Sequence, residues 1–159
     1  MKFIITGGTI DSYYDTDSCT AVPYERSVIE DYLRKTVCAD LSDVTFEQVC
    51  MKDSRAVNDA DRDEVCRIIN ESEDTEFVVT HGTYTLFETA QYIEKHLKRE
   101  NVKVTVTGAL IPLLGFAPTD AGFNLGASMA NSRFNASGVW VFIKGRAVRA
   151  SDALTLHTK

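Results

Sequence analysis

Two short apolar runs in this chain each stop abruptly at glycine and threonine. Phe3-Ile4-Ile5 leads into Thr6-Gly7-Gly8-Thr9-Ile10, and Phe77-Val78-Val79 leads into Thr80-His81-Gly82-Thr83-Tyr84-Thr85. β-Branched and aromatic residues halted by glycine predict a buried strand that ends in a tight turn. Buried strands of this kind belong to parallel sheets covered on both faces. In an open parallel sheet, ligands gather at the carboxyl ends of the strands. Each of these two ends would present a threonine hydroxyl beside backbone that glycine leaves uncovered.

The rest of the chain alternates between strand and helix patterns. A first strand is expected over residues 2–6, followed by a polar loop over 11–22. Pro23 suits the first turn of a helix whose apolar face is Val28, Ile29, Tyr32 and Leu33. Residues 44–49 alternate as a second strand, and Asn58 is placed to cap a helix burying Val65, Ile68 and Ile69. The third strand covers 76–80. Thr85-Leu86-Phe87-Glu88 then has the capping-box pattern, and Ala90, Ile93 and Leu97 continue a helical face. Strands over 102–107 and 139–143 flank a helix capped by Asp120 and running through Met129. This succession predicts the α/β class: one three-layer domain over residues 1–159, with a mainly parallel, flavodoxin-like sheet and right-handed crossovers. A chain of 159 residues is long enough for a sizeable core.

Charge and composition narrow the function. A net charge of −6 argues against nucleic acid or a membrane surface as partner. Lys144, Arg146 and Arg149 form a small basic cluster, read as a solvated rim. No stretch is long and apolar enough to span a membrane, and the first strand begins at the N-terminus without a leader pattern, so a cytoplasmic location is expected. Cys19, Cys38, Cys50 and Cys66 lack Cys-x-x-Cys or zinc-ligand spacing, which fits reduced thiols and no metal site. Cys38 and Cys66 fall among apolar residues and are expected in the core, whereas Cys19 lies in a polar stretch.

Threonine is a poor nucleophile unless a neighbour takes its proton or stabilises the developing charge. A turn at a strand end exposes the hydroxyl, and nearby backbone N–H groups can stabilise an oxyanion. For either threonine alone, a structural role is the more common one. Two further segments change that balance. Met51-Lys52-Asp53-Ser54-Arg55 follows the second strand, and Thr107-Gly108-Ala109-Leu110-Ile111-Pro112 follows the fourth. All four ends should therefore lie along one edge. Ser54, between Lys52 and Arg55, suits a carboxylate ligand, although it also fits an ordinary solvated turn. His81 reads as a residue that fixes its turn, and Asn124 as a support for the loop after the fourth strand.

Taken in order, Thr-Gly-Gly-Thr-Ile at 6–10, Lys-Asp-Ser at 52–54, His-Gly-Thr-x-Thr at 81–85 with Glu-Thr-Ala at 88–90, Thr-Gly-Ala at 107–109 and Asp-x-x-x-Asn-Leu at 120–125 resemble the bacterial-type L-asparaginase family. The resemblance covers residues 1 to about 143 and is to that family's N-terminal domain; the usual second domain is missing, as in short single-domain members. It implies hydrolysis of asparagine, and often glutamine, to the acid and ammonia, with a small amino acid as substrate and no metal or cofactor. It implies Thr9 as nucleophile and Thr83 as part of a second hydroxyl, aspartate and lysine triad. Tyr14, with Tyr13 and Tyr24 as alternatives, would assist from the loop after the first motif. Ser54 would bind the substrate carboxylate, and Gly8, Asp53, Gly82, Tyr84 and Ala109 would complete the substrate-binding positions. A homodimer is expected, because a neighbouring subunit helps close the site in full-length relatives.

One departure bears directly on the chemistry. Tyr84 stands where the family has aspartate, and alignment of the tail puts Thr155 near the place of the family lysine, with Lys144 and Lys159 out of register. Loss of both members of an ion pair is coherent, because either alone would be an uncompensated charge. Yet a phenol cannot supply the charge of a carboxylate. Weakened or altered amidohydrolase activity is therefore expected. Two alternatives stay open: a non-catalytic domain binding an amino acid or small carboxylate, and an amidohydrolase for a substrate without an α-amino group.

Overall fold

The computed structural model describes residues 1–152, so Thr155 and Lys159 lie outside the described residues. In chain order the elements are β1 (Lys2–Gly7), β2 (Ser12–Asp15), β3 (Thr20–Pro23), α1 (Ile29–Asp31, extended by a π-helical turn Tyr32–Thr36), β4 (Thr45–Lys52), α2 (Asp59–Glu71), β5 (Glu76–Thr80), α3 (Leu86–His96), β6 (Lys103–Thr107), α4 (Ala121–Phe134), β7 (Gly138–Ile143) and β8 (Arg146–Arg149). The main sheet has the order β4-β1-β5-β6-β7-β8. All its pairings are parallel except β7 with β8. Counting only the parallel strands, this is the flavodoxin-like order, and the chain changes direction across the sheet between β1 and β5. The two glycine–threonine ends therefore flank the point where such folds bind their ligands.

Alternation along the central strands divides the core. Ile4, Phe77 and Val79 face α2 and α3, where they pack with Val65, Ile69, Leu86 and Ile93. Phe3 and Val78 face the other way and pack with Ile29, Leu33, Ala121 and Leu125. Successive strand residues point to opposite faces, so a continuous apolar run fills both layers. On α3, Leu86, Thr89, Ala90 and Ile93 are buried, the spacing of a single helical face. No helix among the described residues is long and apolar enough to cross a membrane.

The structure departs from the sequence expectations in several places. Residues 11–22 are not a loop. They hold a two-stranded antiparallel hairpin, β2 with β3, in which Ser12 opposes Pro23. Pro23 thus closes a strand rather than opening a helix, a place where its missing N–H breaks no ladder bond. Thr85 sits at the start of α3 without capping it, because its hydroxyl donates to the Ser54 carbonyl at 2.8 Å. Asp120 likewise does not cap α4, whose first N–H, on Ala121, donates to Thr119 Oγ1 instead: the Asp120 carboxylate accepts from the backbone N–H groups of Leu110 and Ile111 and from Asn124 Nδ2. Asn124 Nδ2 also donates to the Gly108 carbonyl at 2.9 Å, which supports the loop after β6. All four cysteines are free. Cys66 is buried, but Cys38 is exposed, on backbone with φ 53° that turns it out of the core. The polar tail after Gly145 continues as the edge strand β8.

Asn58 does cap α2. Its side chain accepts from the Asp61 N–H at 3.1 Å while the Asp61 carboxylate accepts from the Asn58 N–H at 3.0 Å. Asn58→Ala should therefore cost about 1 kcal/mol, read as a lower urea midpoint at unchanged slope, and Asn58→Ser should recover most of it. An unshifted midpoint in Asn58→Ala would show that the reciprocal cap contributes nothing to stability.

Candidate functional site

The strand ends meet backbone against backbone. Gly8, with φ 83°, leaves no room for a side chain: a Cβ there would lie 2.3 Å from the Gly82 nitrogen and 2.4 Å from its Cα. A Cβ on Gly82 would in turn lie 2.7 Å from Ser54 Cβ and 2.8 Å from Ser54 Oγ. The three segments after β1, β4 and β5 are thus nested in one block. Hydrogen bonds lock them. Gly8 N–H donates to the Lys52 carbonyl at 2.9 Å, Thr6 Oγ1 donates to the Thr80 carbonyl at 2.8 Å, and Thr85 ties the second turn to Ser54.

The turn bearing Thr9 is a single 3-10 turn, Thr9–Asp11, entered through Gly8. The Gly8 carbonyl accepts from the Asp11 N–H at 3.0 Å and from Ser12 Oγ at 2.7 Å. Asp11 is fully buried, and its carboxylate accepts from the Val28 N–H at 2.9 Å, which fastens the turn to the start of α1. Burial pushes the Asp11 carboxyl above its usual range. Thr9 itself is half-buried at the head of this turn, and Thr83 is half-buried at the head of the other. Ala109 is buried in the loop after β6.

Tyr14 lies on β2 and is 50% exposed, with its ring edge-on to Phe116 at 6.5 Å between centroids. Tyr13 instead pairs with Tyr24 at 5.3 Å, so these two rings brace the hairpin base. Tyr84 is 68% exposed, and the Arg55 guanidinium sits 4.7 Å above its ring. Arg55 also pairs with Asp53 at 2.9 Å, and that hydrogen-bonded cation holds the Asp53 carboxyl below its usual range. Lys52 points elsewhere, gripping both oxygens of Asp61 at 2.8 and 2.7 Å. Lys144 is exposed in the β7–β8 turn.

Among the described residues, four buried side-chain oxygens lack a hydrogen-bond partner, Asp11 Oδ2, Thr80 Oγ1, Ser128 Oγ and Ser54 Oγ, and of these residues Ser54 lies where the turns meet. It is 1% exposed, and its Oγ makes no hydrogen bond although it lies against Gly82 at the junction of the turns. A buried hydroxyl without a partner is costly and marks a place where a polar ligand group fits. His81, by contrast, is fully committed: Nδ1 is 2.8 Å from the Gly82 carbonyl and Nε2 is 3.0 Å from Thr89 Oγ1. Burial pushes its imidazole down to about 4. The roles of Thr89, Arg55 and Ser12 escaped the sequence reading. Of these only Thr89 left a signal, as a polar residue at a buried position of the α3 face. A separate groove of about 570 Å³, lined by Asp63, Cys66, Asn70 and His96 among others, lies between the final turns of α2 and α3, away from the strand ends.

The family model described as "Asparaginase, N-terminal" matches residues 1–159. No curated protein sequence matches. Among solved structures, a probable cytoplasmic L-asparaginase from Campylobacter jejuni is similar at 27% identity and a TM-score of 0.80, over 94% of this chain and 47% of that one. The thermostable L-asparaginase from Thermococcus kodakarensis is similar at 24% identity and 0.75, over 94% and 46%. L-asparaginase I from Vibrio cholerae is similar at 22% identity and 0.71, again over 94% and 46%. The chain spans less than half the length of these solved proteins.

The nested turns predict a sharp penalty for any side chain inside them. Gly8→Ala should lower stability by roughly 2 kcal/mol or more in urea denaturation, and a neutral result would mean that the turns can part freely. His81 adds a pH dependence. Its neutral form is favoured in the folded state, so the unfolded chain binds the proton first as pH falls. Stability should therefore decline between pH 6.5 and about 4, and at about 1.4 kcal/mol per pH unit the loss is capped at roughly 3 kcal/mol. Following the His81 ring by NMR alongside denaturation separates its part from that of Asp11, whose raised carboxyl works in the opposite sense. A ring that titrates near 6.5 in the folded protein would remove the effect.

Proposed function

The chain belongs to the asparaginase family, matching its N-terminal domain, and from that membership we propose that it is an amidohydrolase acting on the side-chain amide of asparagine or a close analogue, with activity weakened by Tyr84. The observation that carries the proposal is Ser54. Its buried hydroxyl lacks a partner at the meeting point of the turns, where it can donate to the carboxylate of a small amino acid. Asp53, Gly8, Gly82 and Ala109, from the turns at the strand ends, are assigned to the same substrate-binding edge. Membership of the family and the likeness to L-asparaginases support hydrolysis in general terms.

In the proposed reaction, Thr9 Oγ1 attacks the side-chain carbonyl carbon. The carbon–oxygen bond forms as the carbonyl π-electrons move to oxygen, and N–H groups of the turn offset the oxyanion charge. Collapse expels the amide nitrogen, which leaves as ammonia with the proton lost by Thr9. Water then cleaves the acyl-threonine ester and restores the hydroxyl. Thr83 is assigned to orienting the nucleophile or water, and Tyr14, on the hairpin beside the site, to assisting Thr9. A homodimer belongs to the proposal as well, with light scattering at micromolar concentration as its measure.

Tyr84 supports a second reading. Its ring is stacked under Arg55, which is itself paired with Asp53, so the position that carries a carboxylate in the family here carries an aromatic–cation contact. A domain that binds an amino acid or small carboxylate without turnover would keep Ser54 and the turns but need no charged pair.

Ammonia release from asparagine decides between them. The parent should turn over slowly, Thr9→Ala should lose at least about a hundredfold, and Tyr84→Asp should gain. An inert parent that still binds aspartate calorimetrically would establish the binding reading instead.

A further inference from the structure

We propose that Arg62 and Thr89 are positioning residues for the turn that carries Thr83, acting through the tautomer of His81. The inference deepens the functional proposal, since Thr83 belongs to that site, but it rests on contacts of its own.

The Gly82 carbonyl can only accept a hydrogen bond, and it lies 2.8 Å from His81 Nδ1. Nδ1 must therefore carry a proton. The ring is fully buried and neutral at pH 7, because burial pushes its protonation down to about 4. Nε2 is then a bare lone pair, facing Thr89 Oγ1 at 3.0 Å. Thr89 has to donate, and a hydroxyl left alone is free to rotate. Arg62 removes that freedom. Its Nε–H donates to the same oxygen at 3.1 Å, and a guanidinium has no acceptor to offer in return. The hydroxyl proton is thereby left for the ring. Arg62 is itself held, only 12% exposed and paired with Asp59 at 2.8 Å.

Every link runs from donor to acceptor in one direction: Arg62 on α2, Thr89 on α3, His81 after β5, then the Gly82 carbonyl. Aligned bonds of this kind polarise one another in a water-poor interior. The last link fixes a peptide plane. In a trans peptide the C=O and the following N–H point opposite ways. With the Gly82 carbonyl held toward the ring, the Thr83 N–H is held away from it. The first turn shows the same arrangement with different parts, its Gly8 carbonyl held by Ser12 Oγ at 2.7 Å. The relay also keeps the Gly82 backbone in the place where Gly8 packs on it.

Histidine-labelled ¹⁵N NMR on the purified chain tests this without any assay of turnover, so the relay and the amidohydrolase proposal can fail separately. At pH 7 the parent should show His81 as the Nδ1–H tautomer, with Nε2 as a hydrogen-bonded acceptor. Thr89→Val should shift the Nε2 resonance downfield as it loses its donor, and Thr89→Ser should restore the parent position. Arg62→Gln should raise the His81 titration midpoint, because a nearby cation is gone and the hydroxyl is free to accept from the protonated ring. Arg62 pairs outward with the exposed Asp59, so this variant and the parent tautomer decide the matter even if Thr89→Val does not fold. An Nε2–H tautomer in the parent, an unmoved Nε2 resonance in folded Thr89→Val, or an unchanged midpoint in Arg62→Gln would each overturn the relay.

Discussion

The contact of Gly8 on Gly82 is the constraint on which the rest of the site depends. A Cβ at Gly8 would sit 2.3 Å from the Gly82 nitrogen, so the two turns touch through backbone alone. The neighbouring joints are comparably close, although Ser54 meets Gly82 through its side chain. Gly82 abuts Ser54, and a Cβ on Gly108 would lie 2.3 Å from the His81 carbonyl oxygen. Four strand ends are thus sealed largely through backbone, with the side chains of Ser54 and Leu86 at two of the joints. The benefit is rigidity. Backbone packed on backbone has few rotamers to lose, so Thr9 and Thr83 stand on a base that is already ordered and Ser54 is buried within it.

That base was largely legible in the sequence, because it is made from the strongest local signals there are. Apolar runs stopped by glycine located β1 and β5, and both strands follow the pattern across the whole thickness of the sheet. The hairpin was not legible. Ser12-Tyr13-Tyr14-Asp15 and Thr20-Ala21-Val22-Pro23 carry no apolar alternation, since the hairpin stands at the surface as a separate two-stranded sheet. What holds it is tertiary: Tyr24 N–H donates to the Asp11 carbonyl, and Tyr13 packs on Tyr24. Thr85 and Asp120 illustrate the same limit. Each has the residue type and spacing of a helix cap, yet each bonds to a segment distant in sequence or to a preceding loop. A local rule yields where a buried carbonyl or N–H group elsewhere would otherwise go unpaired.

The site residues divide along the same line. Gly8, Gly82 and Ser54 come together because glycine permits close approach, and glycine is visible in a sequence. The triangle of Asp53, Arg55 and Tyr84 joins segments about thirty residues apart through long, exposed side chains, and no spacing announces it. It does explain why Tyr84 causes no structural strain. Arg55 has a carboxylate on one side and an aromatic face on the other, and neither partner is left as a buried charge. Lys52 is similarly absorbed, by Asp61 at the start of α2.

Apart from the buried Asp11 in the first turn, these pairings leave little unbalanced charge around the strand ends. His81 is uncharged at neutral pH, Ser54 and the threonines are hydroxyls, and Asp53, Arg55, Lys52 and Asp61 are paired among themselves around them. Binding geometry and chemical power are therefore held by different parts of the molecule. The turns and the tautomer of His81 shape the proposed site and need no charge, and the unpartnered Ser54 hydroxyl is neutral too. Activation of a threonine needs a group that takes up a proton, and in this family an aspartate and a lysine are expected to supply that field. A chain can lose the second set without disturbing the first, because no glycine contact or strand pairing runs through position 84. The backbone that makes the fold recognisable thus accommodates Tyr84 without rearrangement.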